Sequence, residues 1–159
     1  MSRKGTQKIK AIIPDAIYGN KLVTKLINRS MKDGKKSVAR TQIYGAFEII
    51  KEKNGDDPIK AFDQALENIK PAMEVRAKRI GGAAYQVPAP VRGPRRESLA
   101  IRWLVAAANS RSNSDFHTYA GKLAAEIMDA AKGEGSAVKK RTDMEKIAES
   151  NKAFSHFRW

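Results

Sequence analysis

The chain has 159 residues, 42% of them hydrophobic, with no cysteine and a formal net charge of +14. That length and apolar content suit one folded domain with a sizeable core and argue against a disordered basic tail. The missing cysteines exclude a disulfide framework and a thiolate metal site, and they suit a reducing cytoplasm. No apolar run approaches the roughly 20 residues of a membrane span, and the first residues lack the apolar core of a signal peptide. A charge this positive points to nucleic acid or an anionic membrane surface.

Residues 1–12 read as an extended basic arm, with Arg3, Lys4, Lys8 and Lys10 and no acid in the first ten positions. Pro14 and Tyr18-Gly19 mark a loop. Asn20 is placed as an N-cap, and Leu22, Val23, Leu26 and Ile27 recur at helical spacing until Asp33-Gly34 stops them. A second helix starts near Lys35, turns Val38, Ala39, Ile43, Ala46, Phe47 and Ile50 inward, and ends near Asn54-Gly55. Asp57-Pro58 is an N-cap followed by a proline whose missing N–H the first turn does not need. Phe62, Ala65, Leu66 and Ile69 form that helix's buried stripe, and Pro71 closes it.

Helix resumes at Pro94, with Leu99, Trp103, Leu104 and Ala107 or Ala108 facing inward. Trp103 shares that stripe and therefore reads as core rather than as a stacking platform. Ser114 is positioned to cap a further helix whose stripe is Phe116, Tyr119, Ala120, Leu123 and Ile127. Gly133-Glu134-Gly135 breaks the chain, Ser136 is positioned to cap a last helix to about Ser150, and 151–159 form a short aromatic tail. The fold class is mainly α: a single domain over 1–159, about six helices interrupted once by a β-hairpin at 73–90.

That hairpin has a geometric argument of its own. Gly81-Gly82 supplies the positive φ angles of a two-residue type I′ turn. The turn sets Ile80 opposite Ala83, Lys78 opposite Tyr85 and Arg76 opposite Val87. Pro88 and Pro90 then oppose Val75 and Met73 at non-hydrogen-bonded positions, where they leave the ladder intact and keep a third strand from that edge. The expected product is a projecting two-stranded arm about 25 Å long. From Val75 to Arg96 the chain holds Arg76, Lys78, Arg79, Arg92, Arg95 and Arg96 and not one Asp or Glu. Such a segment is unfavourable near like charge and favourable beside phosphates. Arg76, Lys78 and Tyr85 share one face, and charge beside a ring suits single-stranded or irregular RNA.

Elsewhere charge is uneven. Glu48, Glu52, Asp56, Asp57, Asp63 and Glu67 outnumber Lys51, Lys53 and Lys60, so that stretch is expected to face solvent or a basic protein. Lys35 and Lys36 open a helix, where a cation is poorly placed unless an anion joins it. Asp33-Gly34-Lys35-Lys36-Ser37 is not a phosphate-binding loop, because Arg29 stands where that pattern needs glycine. Arg92, Arg95, Arg96 and Arg102 gather early on one helix as a phosphate clamp. His117 and His156 lack metal-ligand spacing, and neither a nucleophile elbow nor a dinucleotide fingerprint occurs, so no catalytic, metal or cofactor site is expected. A DNA-bending protein is the rival among binders. It would place an apolar wedge where this arm has Gly81-Gly82.

Five motifs in order carry a resemblance. They are Leu22-Val23-Thr24-Lys25 through Asp33-Gly34-Lys35-Lys36-Ser37; Arg79-Ile80-Gly81-Gly82-Ala83-Ala84-Tyr85-Gln86-Val87-Pro88; and Arg95-Arg96 with Leu99-Ala100-Ile101-Arg102-Trp103-Leu104. Ala137-Val138-Lys139-Lys140-Arg141 and Ala153-Phe154-Ser155-His156-Phe157-Arg158-Trp159 complete the set. Essentially end to end, the chain resembles the bacterial form of the small-subunit ribosomal protein seven family. The resemblance implies a primary binder of the 3′ major domain of 16S ribosomal RNA that nucleates assembly of the subunit head. It implies a position near the exit site beside messenger and transfer RNA, with ribosomal proteins nine and eleven as neighbours and a cytoplasmic location in the ribosome.

Carried over by position, the ribosomal-RNA contacts become Arg3, Lys4, Lys8, Lys10, Lys35, Lys36, Arg76, Lys78, Arg92, Arg95, Arg96 and Arg102. Arg79, Gly81, Gly82 and Tyr85 become the tip near messenger and transfer RNA, and Lys139, Lys140 and Arg141 face the exit-site transfer RNA. Ala89-Pro90 departs from many relatives and stiffens the ribbon's base. Asn109 to Asp115 is less basic than the resemblance implies, which leaves open whether Arg111 meets RNA.

Overall fold

The computed structural model describes residues 11–55 and 57–157. The expected contacts of Arg3, Lys4, Lys8 and Lys10 lie outside the described residues. The elements are α1 (Lys21–Ser30), α2 (Lys36–Asn54), α3 (Pro58–Ile69), β1 (Met73–Ile80), β2 (Ala83–Pro90), α4 (Gly93–Ser110), α5 (Tyr119–Ala131) and α6 (Ser136–Ser150). A 3₁₀ helix, Lys152–Phe157, follows. No helix among the described residues is long and apolar enough to cross a membrane.

The ends of α1 and α3 follow their sequence signals closely. The Asn20 side chain accepts from Leu22 N at 2.7 Å to start α1, and Asp57 accepts from Ile59 N at 3.0 Å to start α3. Pro71 forbids helical backbone at Lys70, whose ψ is 117°, and α3 stops at Ile69. Helix α5 lies at the centre, packed on α2, α3, α4 and α6. Its Leu123, Ala124 and Ile127 are fully buried against a core that includes Ile43, Phe47, Phe62, Leu66 and Leu104. Trp103 packs on the edge of that core, as its stripe requires.

Three local expectations fail. Val38 is 55% exposed rather than buried, because it sits in the first turn of α2 at the mouth of a cleft that no other element covers. Ser114 does not cap α5. It is held in a turn by Ser112, whose hydroxyl accepts from Ser114 N at 3.1 Å, and the helix starts at Tyr119, capped by Thr118 Oγ1 on Gly121 N at 3.2 Å. Phe116 therefore precedes the helix. Ser136 makes no cap either: Gly135, at φ 94°, is the N-cap residue, and the capping oxygen comes from α5, where Glu126 accepts from Ala137 N at 2.9 Å.

The hairpin register matches throughout, from Ile80 opposite Ala83 to Met73 opposite Pro90, in an antiparallel sheet of two strands. Gly81 and Gly82 take φ 56° and 92°, as the tight turn demands. Arg79 and Gly81 to Ala84 form an exposed tip. The rest of the arm is supported: Val87 and Pro88 are buried, β1 packs on α6, and the 3₁₀ tail lies along β2.

Candidate nucleic-acid interface

The acid-free run ends one residue short of Glu74, and that residue organises it. Glu74 is 4% exposed. Its two oxygens each take one guanidinium, Arg76 Nε at 2.6 Å on Oε1 and Arg95 Nε at 3.1 Å on Oε2. Burial opposes its ionisation, but the hydrogen bonds from Arg76 and Arg95 outweigh burial and hold Glu74 below the usual carboxylate range. One buried carboxylate thus ties an arginine of β1 to an arginine of α4 while both side chains stay open to solvent. Arg96 is anchored the same way, its Nε donating to the Pro71 carbonyl at 3.1 Å. Arg95 and Arg96 are anchored through Nε and keep their terminal nitrogens for a ligand, whereas Arg76 sets both Nε and one terminal nitrogen on Glu74. The guanidinium edges left over have the geometry of a phosphate fork.

Helix α4 extends this site. Arg95, Ser98, Arg102 and Asn109 recur at helical spacing, so they share one side of it. Arg92 and Arg102 are exposed. Lys21, Lys25 and Arg29, one turn apart on α1, line a groove of about 740 Å³ with Pro94, Ser98 and Ile101 of α4. Lys25 there pairs with Glu97. These α1 cations are absent from the sequence-derived site, although their i, i+4, i+8 spacing was visible. At the other end of α4, Asn109 lines a cleft together with Lys32, Asp33 and Lys35, and Lys36 lines a separate groove with Arg40 and Asn28.

The remaining expected residues fall elsewhere. Arg79 is exposed at the hairpin tip, its Nε 3.4 Å from the Gly82 carbonyl. The Tyr85 ring already has partners, with Phe154 and Phe157 at centroid distances of 5.3 and 5.5 Å, and Lys78 Nζ donates to the Phe157 carbonyl at 3.3 Å. Lys139 and Lys140 are exposed on α6, whereas Arg141 is half-buried, 3.8 Å from Glu145.

Arg111 is committed to the interior of the fold. It donates from Nε to the fully buried Glu126 at 2.7 Å and also pairs with Asp129. Its burial would lower its pKa, but the bonds to Asp129 and Glu126 reverse that and raise it. His117 and His156 are exposed and no cluster of metal-ligating side chains exists among the described residues.

Residues 2–152 match the family model described as ribosomal protein S7p/S5e. The chain is 55% identical to "Small ribosomal subunit protein uS7" of Carboxydothermus hydrogenoformans over all 159 residues of both chains. The proteins of the same name from Moorella thermoacetica and Beijerinckia indica are 55% and 50% identical, again over the full length of each. With a matching model across nearly the whole chain and relatives this similar, the chain belongs to the ribosomal protein S7p/S5e family.

Proposed function

We propose that the chain is a structural RNA-binding protein of the small ribosomal subunit, not an enzyme, which binds the 3′ major domain of 16S ribosomal RNA and nucleates assembly of the head. Family membership supports the coarse role. The observation that carries the RNA contact is the Glu74-anchored pair Arg76 and Arg95, continuous with the exposed side of α4. Arg92, Arg96, Arg102, Lys35 and Lys36 extend that surface, and Lys21, Lys25 and Arg29 join it across the α1–α4 groove. The arm serves a second purpose. Its tip, Arg79 to Ala84, reaches the path of messenger and exit-site transfer RNA, and the exposed Lys139 and Lys140 of α6 face the same transfer RNA. Ribosomal proteins nine and eleven are the proposed protein neighbours.

The test separates the two surfaces. Replacing Arg79 to Ala84 with Asn-Gly makes a shorter hairpin that retains Tyr85 and its contact with the tail. Affinity for the 16S fragment should change less than about threefold, since at most one phosphate contact is lost. Reading-frame maintenance in ribosomes carrying the variant should fall. Lost fragment binding by a folded variant would contradict this assignment.

A further inference from the structure

One cleft borders the proposed RNA surface at Lys35 and Asn109, but its apolar interior has no role in the contacts above. It lies between the α1–α2 turn and the C-terminal end of α4, with a volume of about 340 Å³, within the range of ligand sites. Its inner wall is apolar: buried Ala39, the half-buried ring of Tyr119 and the 55%-exposed Val38. The Tyr119 hydroxyl is hydrogen-bonded to Ser30 Oγ at 3.0 Å, which favours the ring's place in the wall. Two primary amides, Gln42 and Asn109, add polar edges. Gln42 accepts from Ala120 N at 3.2 Å through its oxygen, so the group it can offer a ligand is its NH₂ donor. At the rim Lys32 and Lys35 outnumber Asp33.

We infer that this cleft receives one unstacked nucleobase of the bound RNA, with the flanking phosphates on Lys32 and Lys35. The inference rests on the RNA-binding reading above. An apolar wall with an aromatic ring suits a base's π-face, and the amides suit its hydrogen-bonding edge, as in sequence-specific recognition of unpaired RNA. Charge complementarity with the two lysines favours a nucleotide over a neutral ligand. The exposed Val38, left open at the mouth of the cleft within the chain, becomes a contact in the complex.

The experiment compares the full chain with the double variant Val38→Ala, Asn109→Ala and with Val38→Ile, all binding the 16S 3′ major-domain fragment. Each complex is also probed with dimethyl sulfate and a carbodiimide at the bases' Watson–Crick edges. The double variant should bind about tenfold more weakly with an unchanged salt slope, because no phosphate contact is lost. One unpaired base protected by the parent should become reactive in the double variant, and Val38→Ile should retain its protection. Parent-like affinity in the double variant overturns the inference, and so does weaker binding with no change in any base's reactivity. If the parent fails to distinguish the fragment from unrelated RNA, the RNA-binding reading itself falls and takes the cleft's role with it.

Discussion

Replacing Glu126 with alanine should lower the thermal midpoint of the protein by about 10 °C, following a loss of roughly 3–5 kcal/mol. Glu126 is fully buried and serves three helices at once. One oxygen caps α6 through Ala137 N at 2.9 Å, and the other accepts from Arg111 Nε at 2.7 Å just beyond the end of α4. Truncation leaves the buried Ala137 amide without its acceptor and leaves Arg111 with Asp129 alone. Lys122 holds the same corner, donating to the Arg111 carbonyl at 2.6 Å. Gly135 is tied to this arrangement as well, since a Cβ there would stand 3.0 Å from Glu126 Oε1. Glu126→Gln keeps an oxygen for Ala137 and should lie between parent and alanine variant. A midpoint shift below about 2 °C for the alanine variant, measured by calorimetry, would show that the site is hydrated and relaxed rather than a buried hub.

Glu74→Gln should weaken binding of the 16S fragment by about tenfold, although it removes a negative charge from a surface meant for phosphates. Glutamine keeps one oxygen, so one guanidinium retains a neutral acceptor and the other faces an NH₂ and is freed. Ordering the freed one on binding costs about 0.5–1.5 kcal/mol, the upper end of which is about tenfold. Simple charge counting predicts the opposite sign, with tighter binding of any RNA. Unrelated RNA should therefore bind the variant as well as or better than the parent. Tighter binding of the 16S fragment as well would refute the anchoring role. The same residue gives a pH signature in the free protein. Because its folded pKa is depressed, its contribution to stability is present above the unfolded carboxylate pKa, about 4.3, and disappears as pH falls through the folded value. Parent and variant should differ in stability at pH 7 and converge in acid.

The legible parts of this fold are those set by local chemistry. Asn20, Asp57-Pro58 and Pro71 act within a turn of themselves, and Gly81-Gly82 with two prolines fixes a hairpin register residue by residue. Caps supplied from afar were not legible. The oxygen that starts α6 belongs to Glu126, eleven residues earlier on a helix buried on nearly all sides, where periodicity no longer separates faces. Val38 and Ala39 differ in their place around α2, and Val38 stays exposed at a cleft that Tyr119, the first residue of α5, also lines.

The candidate site shows the same division. Arginine runs were readable, but Glu74 looked like the border of the basic segment rather than its anchor. The Tyr85 ring was readable as exposed only because nothing in its neighbourhood announces Phe154 and Phe157, some seventy residues on. The Lys21, Lys25 and Arg29 stripe was available from spacing alone and becomes meaningful once α4 lies across the groove.

The central claim is that a preformed basic surface, anchored from within, recognises ribosomal RNA. Filter binding of the full chain to the 16S 3′ major-domain fragment across a salt series tests it most directly. Phosphate contacts by Lys21, Lys25, Arg29, Lys35, Lys36, Arg76, Arg92, Arg95, Arg96 and Arg102 predict a log–log slope of about −7 to −9, at 0.7 to 0.9 per contact, and clear preference over unrelated RNA. A slope shallower than about −2, or equal affinity for unrelated RNA at every salt concentration, would contradict it.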